Sequence, residues 1–222
     1  MNRLFCGTLT ILFCCISLQV LANELQQSGE LEIKLTEEKS FLYVIHEGRS
    51  VMVQRVQDPE FVLKGYYAKT ARKCPPLCPQ PMKTVGEVEL FDFMEMKLRD
   101  SKGLLIDART PEWHERGTIP GSINVPFTIL SKAGTTQNDD ALKLFGARPR
   151  GKVSAISLKL EKMGIFSSEN KTEKWDFSHA KDLVLWCNRP ECGQSSRAIK
   201  GFLNLGYPAD KIFCYRGGSR EV

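Results

Sequence analysis

Residues 182–205 read DLVLWCNRPECGQSSRAIKGFLNL, and this stretch decides the fold. The apolar run 182–187 predicts a buried strand, and residues 195–205 predict a helix because their apolar side chains fall on one face. Residues 188–194 form the loop between them, at the carboxyl end of the strand. This order indicates an α/β domain with a parallel sheet and helices on both faces, in which ligands bind at the carboxyl ends of strands.

The same alternation extends to both sides of that stretch. Strand patterns occupy 103–107 and 212–215, and helical patterns occupy 85–98, 141–145 and 156–163. Because buried strands alternate with amphipathic helices, the segments belong to one sheet rather than to separate layers. We therefore expect a single domain over residues 84–222.

The first 83 residues carry a different pattern. Arg3 precedes an uncharged apolar run that ends at Leu21, before the small residue Ala22. This is typical of a cleaved signal peptide at 1–22, so we expect export to a periplasm or secretion, an uncleaved membrane anchor being the alternative. The N-terminal element, 23–83, combines a predicted β-hairpin with a stiff proline-rich linker. It is either a surface for a protein partner or a lid packed on the sheet.

Composition and charge narrow the range of partners. The chain is 42% hydrophobic and 26% charged, which is typical of a globular protein. Its formal net charge of +5 is small and dispersed, so nucleic acid is not expected as a partner, whereas small anions are compatible with it. Beyond residue 22 no apolar segment is long enough for a bilayer, and no membrane contact is expected after signal cleavage.

Cysteine is the residue type with the most chemical content. Removal of residues 1–22 leaves five cysteines, at Cys74, Cys78, Cys187, Cys192 and Cys214. An odd number leaves at least one thiol without a partner in its own chain in an oxidising compartment. Cys74 and Cys78 predict a local structural disulfide, with exchange with the site or a four-thiolate metal centre as alternatives. Their spacing disfavours a metal, so no metal and no other cofactor are expected.

Cys187 ends the central strand and opens the loop. Amide groups of a loop that enters a helix can converge on one atom, and such a ring binds anions. The same amides, with the positive end of the helix, lower the pKa of a thiol and give the thiolate that attacks sulfur. On these residues alone, the alternative is a small apolar residue at a strand end.

Several segments resemble motifs of the rhodanese (thiosulfate sulfurtransferase) family, in the usual order, from Thr84 to the C-terminus. They are LLIDAR at 104–109, GTIPGSINVP at 117–126, WC at 186–187, GY at 206–207 and YRGG at 215–218. The resemblance implies a rhodanese-like sheet and a sulfurtransferase that moves sulfane sulfur from thiosulfate or a persulfide to a thiol or cyanide. It makes Cys187 the persulfide-forming nucleophile and Asp107 and Arg109 supporting residues beside it. The loop that binds the sulfur or the anion is then Asn188, Arg189, Glu191, Cys192, Gly193, Gln194 and Ser195.

The loop departs from the family pattern. It is longer than usual, and Gln194 stands where relatives have an arginine that faces the anion. Arg189 or Arg197 is the candidate replacement. Phosphate hydrolysis, the chemistry of relatives with a longer loop, is disfavoured because that arginine is its main electrostatic stabiliser.

Cys192 leads to a second class of function. A neighbouring thiol in the same loop can close a disulfide with Cys187, so the alternative is a thiol-disulfide redox protein. A third class is a non-catalytic rhodanese-like binding module, since a lost arginine is compatible with lost activity. The histidines, His46, His114 and His179, are interpreted as surface residues. The expected partners are a small anionic sulfur donor and a thiol acceptor.

Overall fold

The computed structural model describes residues 33–55, 82–130, 135–188 and 192–218. The predicted signal peptide and the linker cysteines Cys74 and Cys78 lie outside these ranges, as do Arg189 and Glu191 of the predicted loop. Within the described ranges, no helix has the length and the hydrophobicity that a bilayer span requires.

A β-hairpin opens the described chain, as predicted. Strands β1 (Phe41–His46) and β2 (Arg49–Gln54) pair antiparallel around Glu47 and Gly48, which both have positive φ. This is the turn geometry that matches the twist of a two-residue hairpin. One face of the hairpin is buried, and it packs on the π-helical turn Met94–Leu98. The opposite face exposes four apolar side chains, Phe41, Tyr43, Ile45 and Met52.

A five-stranded parallel sheet forms the centre of the domain. The remaining strands are β3 (Lys83–Val85), β4 (Gly103–Asp107), β5 (Ser122–Asn124), β6 (Arg148–Pro149), β7 (Trp175–Asp176), β8 (Asp182–Trp186) and β9 (Ile212–Tyr215). The central order is β3-β9-β8-β4-β5 with all neighbours parallel, whereas β6 and β7 form a small separate antiparallel pair. The predicted parallel sheet is therefore confirmed, with β8 at its centre.

Helices cover both faces of the sheet, as predicted. They are α1 (Glu87–Phe93), α2 (Pro111–Glu115), α3 (Phe127–Leu130), α4 (Thr136–Leu144), α5 (Ala155–Lys162) and α6 (Gly193–Asn204). Alternate residues of β8 point to opposite cores, because successive side chains of a strand point to opposite faces. Val184 and Trp186 pack with α1 and the hairpin, and Leu183 and Leu185 pack with α3, α4 and α6.

The start of the domain differs from the prediction. Val85, predicted to begin a helix, lies in β3 beside Tyr215, and Lys83, assigned to the linker, belongs to the same strand. The helix begins at Glu87 because the Gly86 amide donates to the Glu89 carboxylate at 2.9 Å, which caps the first turn. The sheet thus includes the end of the segment that the sequence had assigned to the proline-rich linker.

Helix α6 follows the loop after β8. It begins at Gly193, slightly before the predicted start at residue 195, and its apolar face is buried. It ends at Asn204 with Leu205 as its C-cap, after which Gly206 has a φ of +85°. A Cβ atom at Gly206 would lie 2.3 Å from Thr172 Cγ2, so both the backbone conformation and the packing require glycine there.

Candidate active site

Cys187 follows the last residue of the central strand β8 and is only 2% exposed. Its thiol donates to the backbone carbonyl of Cys192 at 3.4 Å and accepts from the Ser195 hydroxyl at 3.8 Å. Both partners come from the beginning of α6. The Cys187 sulfur therefore lies at the carboxyl end of the middle strand of the sheet, beside the first turn of α6.

Cys192 is the N-cap of α6 and is partly exposed. A hydrogen bond from the Cys187 side chain lowers the pKa of Cys192 to about 6, and the backbone amides of Gln194 and Asn188 and the charge of Arg109 act in the same direction. Burial of the sulfur opposes them. The lower pKa favours the thiolate form of Cys192 relative to an ordinary cysteine. At least two of the loop amides therefore act on the sulfur of Cys192.

The two thiols are reduced and interact with each other. Cys192 also lies 3.5 Å from the side-chain oxygen of Gln194, the residue that replaces the expected arginine. Gln194 is neutral, so the cationic group that lowers the Cys192 pKa comes from Arg109 on another strand end. Among the described residues the site is thus a dithiol beside one buried guanidinium.

Asp107 and Arg109 form a buried ion pair at the end of β4. Arg109 donates from Nε to Asp107 Oδ1 at 2.9 Å and from Nη2 to Oδ2 at 2.7 Å, and the two residues are 2% and 0% exposed. Its remaining nitrogen, Nη1, donates to the Asn188 side-chain oxygen at 3.1 Å. The guanidinium carbon lies 4.4 Å from the centre of the Trp186 ring. Arg109 thereby links the carboxyl end of β4 to the loop after β8.

His114 belongs to the same network, so its interpretation as a surface residue is wrong. Its Nδ1 lies 2.9 Å from Asp107 Oδ2, and its side chain is 18% exposed. Thr118 donates to the same carboxylate oxygen at 3.2 Å. Pro111 starts α2 directly after β4, which turns His114 back over the strand end. The helix start was visible in the sequence, but the direction of the histidine was not.

The other predicted site residues fall into three groups. Gly193 and Ser195 lie in the first turn of α6, next to the thiols. Arg197 is exposed, and its guanidinium lies over the Phe127 ring at 5.5 Å. Arg189 and Glu191 lie outside the described residues. Of the charges considered from the sequence, Arg109 is the one that the structure shows acting on a site thiol.

Cys214, on β9, takes part in a disulfide whose partner lies outside the described residues. Its side chain is 2% exposed and belongs to the core on the α6 side of the sheet. Among the described cysteines, Cys214 is therefore disulfide-bonded, whereas Cys187 and Cys192 are thiols. In the part of the chain that the structure describes, no group of histidine, cysteine or acidic side chains is arranged to hold a metal ion.

The fold and the site define an α/β protein with a reduced, buried cysteine at the end of its central parallel strand. A family model for the rhodanese-like domain matches residues 92–222, and the chain belongs to that family. A search of curated proteins gives no match.

Solved structures of rhodanese-type proteins are similar to this chain. The human single-domain sulfurtransferase TSTD1 is 24% identical, with 62% of this chain and 92% of that chain covered and a TM-score of 0.35. The single-domain sulfurtransferase RDL2 of Saccharomyces cerevisiae is 19% identical, with 62% and 85% covered and a TM-score of 0.35. A rhodanese-related protein of Thermoplasma volcanium is 17% identical, with 61% and 85% covered and a TM-score of 0.30. Family membership itself rests on the sequence model.

Proposed function

We propose that this protein is a sulfurtransferase that carries sulfane sulfur as a persulfide on Cys187. The observation that carries the proposal is the reduced Cys187 thiol at the end of β8, next to the first turn of α6 and in hydrogen-bond contact with a second thiol. The donor is thiosulfate or a small persulfide, and the acceptor is a thiol or cyanide.

The first half-reaction is a displacement at sulfur. The Cys187 proton passes to the Cys192 sulfur, with which the Cys187 side chain interacts. The Cys187 thiolate then attacks the outer sulfur of thiosulfate, the sulfur–sulfur bond of the donor breaks, and sulfite leaves with the bonding electron pair. The helix start and the Arg109 guanidinium supply the positive potential that an anionic donor requires.

The second half-reaction returns Cys187 to its thiolate. A thiol acceptor attacks the outer sulfur of the persulfide and leaves with it, or cyanide does so and leaves as thiocyanate.

We also propose that the protein works after export, in a periplasm or outside the cell. The apolar run that ends at Leu21 and the oxidised state of Cys214 support that location.

Intact mass after a single turnover tests the proposal. The reduced mature protein, incubated with thiosulfate and rapidly desalted, should gain one sulfur atom or release its equivalent as sulfide, and sulfite should appear in equal amount. Cys187→Ser, which keeps the size and polarity of the side chain, should form neither sulfite nor a sulfur adduct. A Cys187→Ser protein that still liberates sulfite would remove Cys187 from the reaction.

A binding module without activity is the competing class. It predicts that the Cys187 and Cys192 thiols of the native protein react with a small alkylating reagent no faster than free cysteine, and that thiosulfate leaves their masses unchanged. The thiolate character of Cys192 favours the enzyme over this module.

A further inference from the structure

The burial of the two thiols is unequal. Cys187 is 2% exposed, whereas Cys192 is partly open to solvent at the start of α6. The thiol already in contact with Cys187 is the chain's own Cys192. The first acceptor for a sulfur atom on Cys187 is therefore inside the protein.

We propose that Cys192 resolves the Cys187 persulfide by attacking Cys187 Sγ, which releases the outer sulfur as hydrosulfide and closes a Cys187–Cys192 disulfide. This inference rests on the proposed sulfurtransferase function and names the fate of the sulfur. It makes the site a reductase of sulfane sulfur in addition to a sulfur carrier.

The electrons and atoms of the step balance. The bond between Cys187 Sγ and the outer sulfur breaks, and the outer sulfur leaves with the electron pair and takes up the proton that Cys192 received in the first half-reaction. The Cys187–Cys192 bond forms, so the two thiols are oxidised by two electrons while the sulfane sulfur is reduced to sulfide. With thiosulfate as donor, the dithiol and thiosulfate give the disulfide, sulfite and hydrogen sulfide. A reducing dithiol, for example a thioredoxin-like protein, then reopens the disulfide by thiol exchange.

Three structural features favour this step over transfer to solvent. The Cys187 thiol donates to the Cys192 backbone carbonyl at 3.4 Å, so the residue that supplies the attacking sulfur is already beside its target. The amides of Asn188 and Gln194 and the Arg109 charge favour an ionised Cys192, the form that attacks. Cys214 is held in a separate disulfide and does not compete for the reactive pair.

The test follows products and masses in the full mature protein. The protein is reduced, freed of reductant, and given thiosulfate in the absence of any added thiol. We expect sulfite and sulfide in equal amounts, each close to one per chain, and a protein two hydrogen atoms lighter. Cleavage after Glu191 by a glutamate-specific protease then leaves the Cys187 and Cys192 peptides joined until a reductant is added.

Cys192→Ser is the matched variant, because serine keeps the hydrogen-bonding side chain and lacks the nucleophile. It should release sulfite more slowly, because Cys192 accepts the Cys187 proton in the first half-reaction. It should then retain one sulfur atom on Cys187, with at least a tenfold lower ratio of sulfide to sulfite. Cys192→Ala gives the same readouts if the serine variant folds poorly.

The outcomes separate the two proposals. A wild-type protein that keeps a stable sulfur adduct and releases no sulfide overturns the resolving role of Cys192 and leaves the sulfurtransferase proposal intact. If the wild-type protein and both Cys192 variants form neither sulfite nor a sulfur adduct, the sulfurtransferase proposal is wrong. The inference that rests on it is then wrong as well.

Discussion

Arg109 Nη1 donates to the Asn188 side-chain oxygen at 3.1 Å, and this bond joins the end of β4 to the loop after β8. The same guanidinium is fixed by two bonds to the buried Asp107 carboxylate. Because Asn188 follows Cys187 directly, the position of the loop depends on an ion pair that lies on a neighbouring strand. The charge of Arg109 also acts on Cys192, so one residue supports both the shape of the site and its thiolate.

Replacement of Arg109 by methionine should destabilise the fold and weaken the site together. Breaking a buried ion pair costs about 3–5 kcal/mol in the free energy of unfolding, because the Asp107 carboxylate is left buried without its partner. The pKa of Cys192 should rise, since a positive charge is removed. Urea unfolding measures the first effect, and the pH dependence of Cys192 alkylation measures the second.

Arg197→Met is the matched control, because Arg197 is exposed and stacks on Phe127 only at the surface. Its free energy of unfolding should stay within about 0.5 kcal/mol of the wild type. Equal losses from the two variants would show that the ion pair has no special role.

The contact between the two thiols should be visible in the pH dependence of alkylation. The rate for Cys192 in the wild type should rise with an apparent pKa of about 6, because the thiolate is the reacting form. Cys187→Ala removes the hydrogen bond that contributes most to the low pKa, so the apparent pKa should move upward. Cys187→Ser keeps a donor and should move it less. Peptide mapping after cleavage at Glu191 assigns each label, and identical profiles for alanine and serine would contradict the hydrogen bond.

The low pKa of Cys192 also makes stability depend on pH. A thiol whose pKa falls from 9.0 to about 6 on folding stabilises the native state in full above pH 9. This contribution is lost as the pH falls from 9 to 6, where the folded thiol becomes protonated. The difference in unfolding free energy between the wild type and Cys192→Ala should therefore increase between pH 6 and pH 9. Denaturant titrations at a series of pH values measure it, and a difference that decreases with pH would contradict the assignment.

Tyr207 is expected to contribute to stability through its hydroxyl. The hydroxyl lies 3.0 Å from the Phe145 carbonyl and 2.7 Å from the Lys181 carbonyl, and burial raises the pKa of Tyr207. Tyr207→Phe should lower the free energy of unfolding by about 1–3 kcal/mol, because buried carbonyls lose a donor. Tyr43→Phe is the control at an exposed tyrosine and should have almost no effect. Thermal or urea unfolding of the two variants gives the comparison.

The disulfide of Cys214 should be found by mapping unreduced protein. We expect Cys214 to be joined to Cys74 or Cys78, the cysteines outside the described residues that remain when 1–22 is removed. Cys214→Ala removes this disulfide and should lower the free energy of unfolding by about 2–5 kcal/mol, the usual range for a native disulfide. A Cys74–Cys78 disulfide together with a readily alkylated Cys214 would contradict this and would restore the pairing predicted from the sequence.

Much of the sheet was predictable because its strands are continuous apolar runs. β8 and β9 were located correctly for this reason, and the glycine and proline signals after α6 predicted its end. β3 was missed because three residues beside a proline-rich segment carry too little pattern to indicate a strand. In parallel sheets such a short segment gains its stability from the neighbouring strand, here β9.

The site was only partly predictable. The positions of Asp107 and Arg109 beside the site were expected from the resemblance to the rhodanese motifs, and Arg109 does bind Asn188, the residue after Cys187. The geometry of the loop did not, because spacing along the chain does not determine which sulfur the amides face. The contact of His114 with Asp107 was missed for a similar reason, since it depends on how α2 turns after β4.

Trp186 precedes Cys187 in the chain, and its indole is completely buried, with Nε1 donating to the Ser122 hydroxyl at 2.9 Å. A rigid fluorophore thus sits one peptide bond from the reactive sulfur, beneath the Arg109 guanidinium. Thiolates and disulfides quench indole emission to different extents. Stopped-flow fluorescence on unlabelled protein therefore offers a real-time signal for each change of state at Cys187.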